Sequence, residues 1–433
     1  MTNSLHTLLN ARLLDPATST DTIGGVLIND GLVLDWGHHI TKDNLPGGAS
    51  SEDCGGHCLS PGLVDAHAYL CEPGKEHRET MATAGLAAAA GGVTTVNAFP
   101  ATEPVIDDPS LVEMIARRAL QTCPVNICIT GALTKGMEGS EMAELGLMAE
   151  AGVVAFSDGQ KAIGDINMMR RALGYSTMFG KPIIVHAEEP NLAASGVMTG
   201  GRTATFMGLK SIPACAEAIL VERDIRLVAM TGAKWHAAHL STADALNSIR
   251  RAKDEQIDVT AGTAPHYHSL NDMEVGEYRT FARVSPPLRV EEDRMAVVAA
   301  LKDGTIDVIS SQHLPQSADS KRLPFAQAKP GVIGLETMLP VSLRLYHNQE
   351  MDLLSLLRTM TVAPAKLLGL DCGTIEIGKP ADLCLFDLGK PWQVVGSELK
   401  SKSKNTAFDG HLLQGRVLKT LVRGKTVFEL QGS

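Results

Sequence analysis

The sequence predicts an α/β fold: a (β/α)8 TIM-type barrel over residues 60–362, with a small β domain built from residues 1–59 and 363–433. Three observations carry that expectation. Eight short apolar runs alternate with stretches of helical spacing through the middle of the chain. Both ends change character, to brief β-like runs separated by turn signals. The chain is also long enough for a large core, at 433 residues with 44% hydrophobic and 20% charged.

Taken in order, the strands are expected at Leu63–His67, Val93–Phe99, Val125–Leu133, Val153–Ser157, Pro182–His186, Trp235–His239, Ile257–Ala261 and Ile306–Ser310. Each is a short apolar run, as a strand buried on both faces requires. Helices are expected at Glu76–Ala90, Leu111–Gln121, Asn167–Met178, Ala214–Met230, Thr242–Lys253 and Asp293–Leu301, where apolar residues recur every three to four positions. Several start at a Ser, Asp or Pro signal. At the ends, Gly25–Ile28, Leu32–Leu34, Leu383–Phe386 and Thr420–Phe428 read as strands. Asn29-Asp30-Gly31 and Phe408-Asp409-Gly410 read as turns. The simplest arrangement brings the two termini into one β domain beside the barrel.

Charge and composition exclude several functions. The net charge of -10 is spread along the chain, leaving no basic stripe to neutralise phosphates, so nucleic acid is not an expected partner. No basic segment followed by a long apolar stretch opens the chain, so no signal peptide is expected. The most apolar window, Gly85–Phe99, is broken by glycines and falls short of the ~20 residues a membrane-spanning helix needs. The eight cysteines form no CxxC pair, which speaks against a zinc knuckle or a disulfide framework and for a reduced cytoplasm.

Barrels of this kind carry their chemistry at the C-terminal ends of the strands. The polar residues there are His67, Tyr69, Asp158, His186, His239, Gln312 and His313. One strand-end histidine is more often a packed residue than a ligand. Three closing three different strands point to a present or former metal site, because neutral imidazole is a good zinc ligand.

Several runs resemble the dihydroorotase family of metal-dependent amidohydrolase barrels. The most specific is Pro61-Gly62-Leu63-Val64-Asp65-Ala66-His67-Ala68-Tyr69-Leu70-Cys71-Glu72-Pro73-Gly74. Others are Gly131–Gly136, Val185–Glu188, Ala238–Thr242, Pro286–Arg289, Gly334–Thr337, Ser401–Thr406 and Lys419–Lys425, in the family's order across nearly the whole chain. The resemblance implies a two-zinc enzyme that closes and opens the dihydroorotate ring. It implies ligands from a His-x-His pair, a bridging acid after strand four, two later histidines and an aspartate after strand eight that is also the general base.

This chain departs from that pattern at half of those positions. His67, His186 and His239 match, but Tyr69 replaces the second histidine, Gly159 the bridging acid and Gln312 the aspartate. A phenol stays protonated near neutral pH, and a carboxamide neither accepts a proton nor ligates zinc well. Substrate-binding positions differ too: Cys71 stands for the carboxylate-gripping arginine, Ala101 and Ser285 for asparagines, and Gln316 for a closing histidine.

The leading expectation is therefore a non-catalytic protein with no catalytic residues, no metal and no cofactor, in which His67, His186 and His239 are vestigial. The resemblance extends to inactive dihydroorotase-like chains that assemble with the catalytic chain of aspartate carbamoyltransferase, and it implies that partner here. It also implies a homo-oligomer. The alternative is a divergent cyclic amidohydrolase holding one metal at His67, His186 and His239, with Asp158 or Lys161 in a new role. A third reading is a small-molecule sensor using a vacant barrel mouth. Glu72 and Glu188 read as hydrogen-bonding support, Ser401–Gly410 as a clamp between end domain and barrel, and His266 and His268 as exposed loop residues.

Overall fold

The computed structural model describes residues 5–431. Residues 1–4 and 432–433, at the outer edges of the expected end segments, lie outside the described residues. Five strands open the chain: β1 (His6–Asp15), β2 (Thr20–Asn29), β3 (Leu32–Gly37), β4 (Ser50–Asp53) and β5 (Cys58–Pro61). The Asn29-Asp30-Gly31 signal is a two-residue hairpin, with Asp30 and Gly31 at φ 50° and 83°, the backbone that tight turns between twisted strands need.

The barrel strands follow as β6 (Leu63–Ala68), β7 (Val93–Ala98), β8 (Asn126–Gly131), β9 (Ala155–Phe156) and β10 (Ile183–Val185). A two-stranded excursion, β11 (Met198–Thr199) and β12 (Ser211–Ile212), precedes β13 (Trp235–Ala237), β14 (Val259–Thr263) and β15 (Val308–Ile309). All eight barrel strands pair in parallel in chain order, and a parallel bridge between Ala68 and His313 joins the last to the first. The TIM-type barrel expected from the alternating runs is present. Several strands are shorter than their apolar runs. His186 and His239 consequently stand just past the ends of β10 and β13, in the loops that form the mouth.

Helix boundaries follow the capping residues. Thr80 accepts from the Thr83 amide and starts the first barrel helix at Met81, later than the expected Glu76. Asp108, Asp165 and Thr242 cap the helices that begin at Pro109, Ile166 and Ala243. Gly232, at φ 68°, ends Cys215–Thr231.

Three strands close the chain: β16 (Leu383–Gln393), β17 (Leu412–Val422) and β18 (Lys425–Glu429). The expected single run Thr420–Phe428 is in fact a hairpin. Arg423 and Gly424 both have positive φ and reverse the chain between β17 and β18. The mixed sheet runs β18-β17-β16-β5-β1-β2-β3, with β4 beside β1, so both termini build one layer as expected. Its apolar face contains Leu8, Leu13, Val26, Ile28, Leu59, Leu383 and Leu421. Strand β5 runs through position 60 and the helix Val362–Leu368 through position 363, so these two elements stitch the sheet to the barrel.

Among the described residues no helix is long and apolar enough to cross a membrane. All eight cysteines are free.

Candidate functional site

Strand β6 is buried at every position and carries the first polar residues of the mouth. The Asp65 carboxylate accepts hydrogen bonds from the Ser311 amide at 2.9 Å, the Ser311 hydroxyl and the His67 amide at 3.3 Å. It thereby ties β6 to the segment after β15, and burial pushes its pKa up. His67 is 3% exposed and neither ring nitrogen has a hydrogen-bond partner. Its ring stacks on Phe99 at 3.6 Å between centroids and 17° between planes, and lies 4.2 Å from the His239 ring. Burial, with His186 nearby, holds His67 well below the usual histidine range.

Tyr69 follows β6, buried, with its hydroxyl unpartnered and its pKa raised by burial. A Cβ built on Gly159 would meet the Tyr69 hydroxyl oxygen at 3.2 Å. The phenol thus stands beside the backbone position that the resemblance assigns to the bridging acid. Tyr69, Phe99, Cys71 and Leu314 belong to one buried cluster that continues to Val308 and Leu368 at the other end of the barrel.

The remaining strand-end residues make contacts within the framework. Asp158 accepts from the amides of Leu133 and Thr134, both at 2.9 Å, and from the Thr134 hydroxyl, so it secures the loop after β8. Lys161 donates to the Met137 carbonyl at 3.1 Å, on that same loop. His186 Nε2 lies 3.1 Å from the Ser285 hydroxyl and 3.4 Å from Glu188 Oε2. His239 Nε2 is 3.4 Å from the Ser310 hydroxyl and its Nδ1 is unpartnered; burial, with His67 and His186 beside it, also depresses its pKa.

Gln312 sits in a left-handed backbone conformation, φ 48°, with both ends of its carboxamide engaged. Its Oε1 accepts from His266 Nε2 at 2.7 Å, and its Nε2 donates to the Ser285 carbonyl at 2.7 Å. The expectation for His266 and His268 needs correction. Both are buried, at 1% and 2% exposure, on the helix Pro265–Ser269, which starts at a proline directly after β14. Burial lowers their pKa values to about 4 and about 3.

The other substrate-binding positions of the resemblance also serve the framework. Cys71 has its thiol pushed up to about 12 by burial, the Ala101 carbonyl accepts from Lys75 Nζ at 2.8 Å, and Gln316 donates to the Pro330 carbonyl at 2.8 Å. Glu72 accepts from the Met81 amide at 2.9 Å and pairs with Arg118 at 3.0 Å, fixing the start of the first barrel helix. Ser401–Gly410, expected as a clamp between end domain and barrel, is bonded to both: Gly410 accepts from Gln393, and its other residues reach the barrel. Ser401 and Lys402 bind the buried Glu79, which lies 3.4 Å from His313 Nε2, and Asn405 bridges the Gln316 amide to the carbonyls of Leu314 and Gly331.

Asp65, Glu79, Phe99 and His266 were not assigned to the mouth by sequence reasoning. Phe99 had a visible signal: it lies two residues before Ala101, one of the positions where the resemblance has an asparagine. Among the described residues, no group of three or more His, Cys, Asp or Glu side chains is arranged to hold a metal ion.

Residues 58–427 match the amidohydrolase family. The chain is 42% identical to the dihydroorotase of Geobacter sp. (strain M21) over 418 residues, covering 96% of this chain and 98% of that protein. It is 40% identical to the dihydroorotase of Wolbachia sp. subsp. Brugia malayi (strain TRS), covering 97% and 95%. In structure it resembles the L-hydantoinase (dihydropyrimidinase) of Arthrobacter aurescens, with TM-score 0.88, 26% identity and coverage of 99% and 96%. The dihydropyrimidinase of Brevibacillus agri NCHU1002, at 22% identity, TM-score 0.84 and coverage of 98% and 95%, shares the fold.

Proposed function

This chain belongs to the amidohydrolase family, and on that premise we propose that it is a catalytically silent dihydroorotase-like subunit of pyrimidine biosynthesis. Its role in this reading is to support assembly of aspartate carbamoyltransferase. The partner comes from the resemblance to inactive dihydroorotase-like chains. The silence of the site rests on the residues of the mouth.

The observation that carries the reading is the state of Gln312. The reaction needs a base after strand eight that takes a proton and returns it to the leaving nitrogen. A carboxamide has no such capacity, and this one is held at 2.7 Å on both ends by His266 and Ser285. The donor set also argues against a two-metal centre. Such a centre polarises the carbonyl and generates hydroxide when bound, and it needs acidic or imidazole ligands at positions 69, 159 and 312. Those positions hold Tyr69, Gly159 and Gln312. Asp158, the nearest acid in sequence, is occupied by the loop after β8.

One observation favours the alternative of a mononuclear amidohydrolase: both nitrogens of His67 and Nδ1 of His239 have no hydrogen-bond partner. A catalytic zinc takes three protein ligands. The third here would be His186, whose Nε2 already faces Ser285 and Glu188.

The test is to purify the chain with excess zinc, then measure bound metal and dihydroorotase turnover in both directions. Size-exclusion chromatography with the aspartate carbamoyltransferase catalytic chain follows. The expected result is no turnover and a stable co-assembly. Turnover above background would overturn the silent-subunit reading, and separate elution would overturn the partner.

A further inference from the structure

The end of the barrel opposite the mouth, where the strands begin, contains a cavity of about 440 Å³. Trp235 and Val308, the first residues of β13 and β15, supply its wall from the barrel side. Val362, Ala363 and Leu367 supply the other wall from the helix Val362–Leu368. Those three helix residues are only half-buried, so apolar surface that would ordinarily be packed into the barrel floor faces the cavity instead. The volume falls within the ~300–1,000 Å³ of small-molecule sites.

The polar groups around it are unevenly charged. Lys234, Arg358 and Lys366 line the cavity. Neither lysine ammonium has an ion-pair or hydrogen-bond partner among the described residues, and Arg358 gives one nitrogen to the Pro16 carbonyl. Two carboxylates oppose them, Asp258 and Asp307. Asp307 is already neutralised by Lys253 at 2.8 Å and accepts from the Ala261 amide at 2.8 Å. Three cations therefore face a single unpaired carboxylate across a pocket with apolar walls. A cation cluster of this kind favours an anion, and apolar walls favour a ligand with a hydrophobic body.

We propose that this floor cavity is a binding site for an aromatic monoanion, a carboxylate or sulfonate. Its ring lies against the half-buried Val362, Ala363 and Leu367, over a floor in which Trp235 and Val308 are fully buried, and its charged group meets Lys234, Lys366 and Arg358. The site stands apart from the mouth and does not depend on whether the mouth is catalytic.

Trp235 provides the readout, because the chain has only three tryptophans: Trp36, Trp235 and Trp392. A Trp36→Phe/Trp392→Phe chain, checked for native circular dichroism, leaves Trp235 as the sole tryptophan emitter. Titration with 8-anilinonaphthalene-1-sulfonate is expected to quench Trp235 saturably with one-site behaviour. Adding Lys234→Glu and Lys366→Glu, both exposed positions, should weaken that binding at least tenfold. The same change should leave the uncharged analogue N-phenyl-1-naphthylamine within twofold of its starting affinity. Ala363→Phe, which fills the cavity, should abolish quenching by both probes. Absence of saturable quenching, or quenching unchanged by the charge reversal, would overturn the site. Equal weakening of both probes by the charge reversal would overturn anion recognition.

Discussion

The Tyr69 hydroxyl oxygen stands 3.2 Å from the point a Cβ on Gly159 would occupy. Two departures from the family pattern, separated by 90 positions in sequence, are thus one packing arrangement. The phenol lies against the space that an acid at 159 would need, and glycine is the residue that leaves that space open.

It follows that restoring one of these residues without the other is unfavourable. Gly159 has φ 63°, which aspartate tolerates better than most residues, so the cost of Gly159→Asp comes mainly from overpacking against Tyr69, about 1–3 kcal/mol. Tyr69→His should relieve it. In a double-mutant cycle measured by urea unfolding, the pair is expected to couple favourably by roughly 0.5–3 kcal/mol. Strictly additive single effects would contradict the packing relationship.

Gln312 offers a second test. Gln312→Ala leaves the His266 Nε2–H and the Ser285 carbonyl without their 2.7 Å partner. An expected loss of about 1–3 kcal/mol follows from that desolvation, read as a lower denaturation midpoint. Gln312→Asp, which returns a carboxylate to that position alone, is expected to give no dihydroorotase turnover with zinc supplied. Turnover absent from the parent chain but measurable in Gln312→Asp would show that one base at this position is enough for the reaction.

Acid should destabilise this protein from just below neutrality. His236, His266 and His268 are buried with pKa values near 3, 4 and 3, and His67 and His239 are also held well below the usual range. Unfolded histidine titrates near 6.5. Between that value and the depressed native values, the unfolded chain binds more protons than the folded one, so stability falls as pH falls. Each such histidine adds a slope of up to about 1.4 kcal/mol per pH unit in that window. Thermal melts from pH 7.5 to 5 should show Tm roughly level above pH 7 and dropping steeply below 6.5. Glu336 and Asp224, whose pKa values burial raises to about 7 and about 6, act in the opposite sense but are outnumbered by the histidines, and a rise in Tm from pH 7 to 5.5 would contradict that balance.

Glu79 should prove to be the anchor of the clamp. It is fully buried, faces His313 at 3.4 Å and accepts from Ser401, Lys402 and Thr83. Glu79→Ala leaves the Ser401 hydroxyl, the Lys402 amide and the Thr83 hydroxyl without their buried acceptor, an expected loss of about 1–3 kcal/mol. Limited proteolysis should then cut within 399–410 well before the barrel. Unchanged protection there would mean that the other tethers, Asn405 to Gln316, Glu336 to Ser401 and Ser403 to Arg78, hold the segment without Glu79.

The barrel, its order of strands and the β layer shared by both termini were legible in the sequence, because burial on both faces demands continuous apolar runs and strand ends demand polar residues. His67, His186 and His239 were legible as a set for the same reason: each closes an apolar run. So were the departures from the family pattern at Tyr69, Gly159 and Gln312, since residue identity at a motif position does not depend on coordinates. Only the tertiary structure decided what those residues do instead. Burial of His266 and its bond to Gln312, the stacking of Phe99 on His67, and the fit of Tyr69 beside Gly159 are contacts between residues 32 to 90 positions apart. No local periodicity encodes them, because they arise where strand ends and loops from different parts of the barrel converge on one small volume.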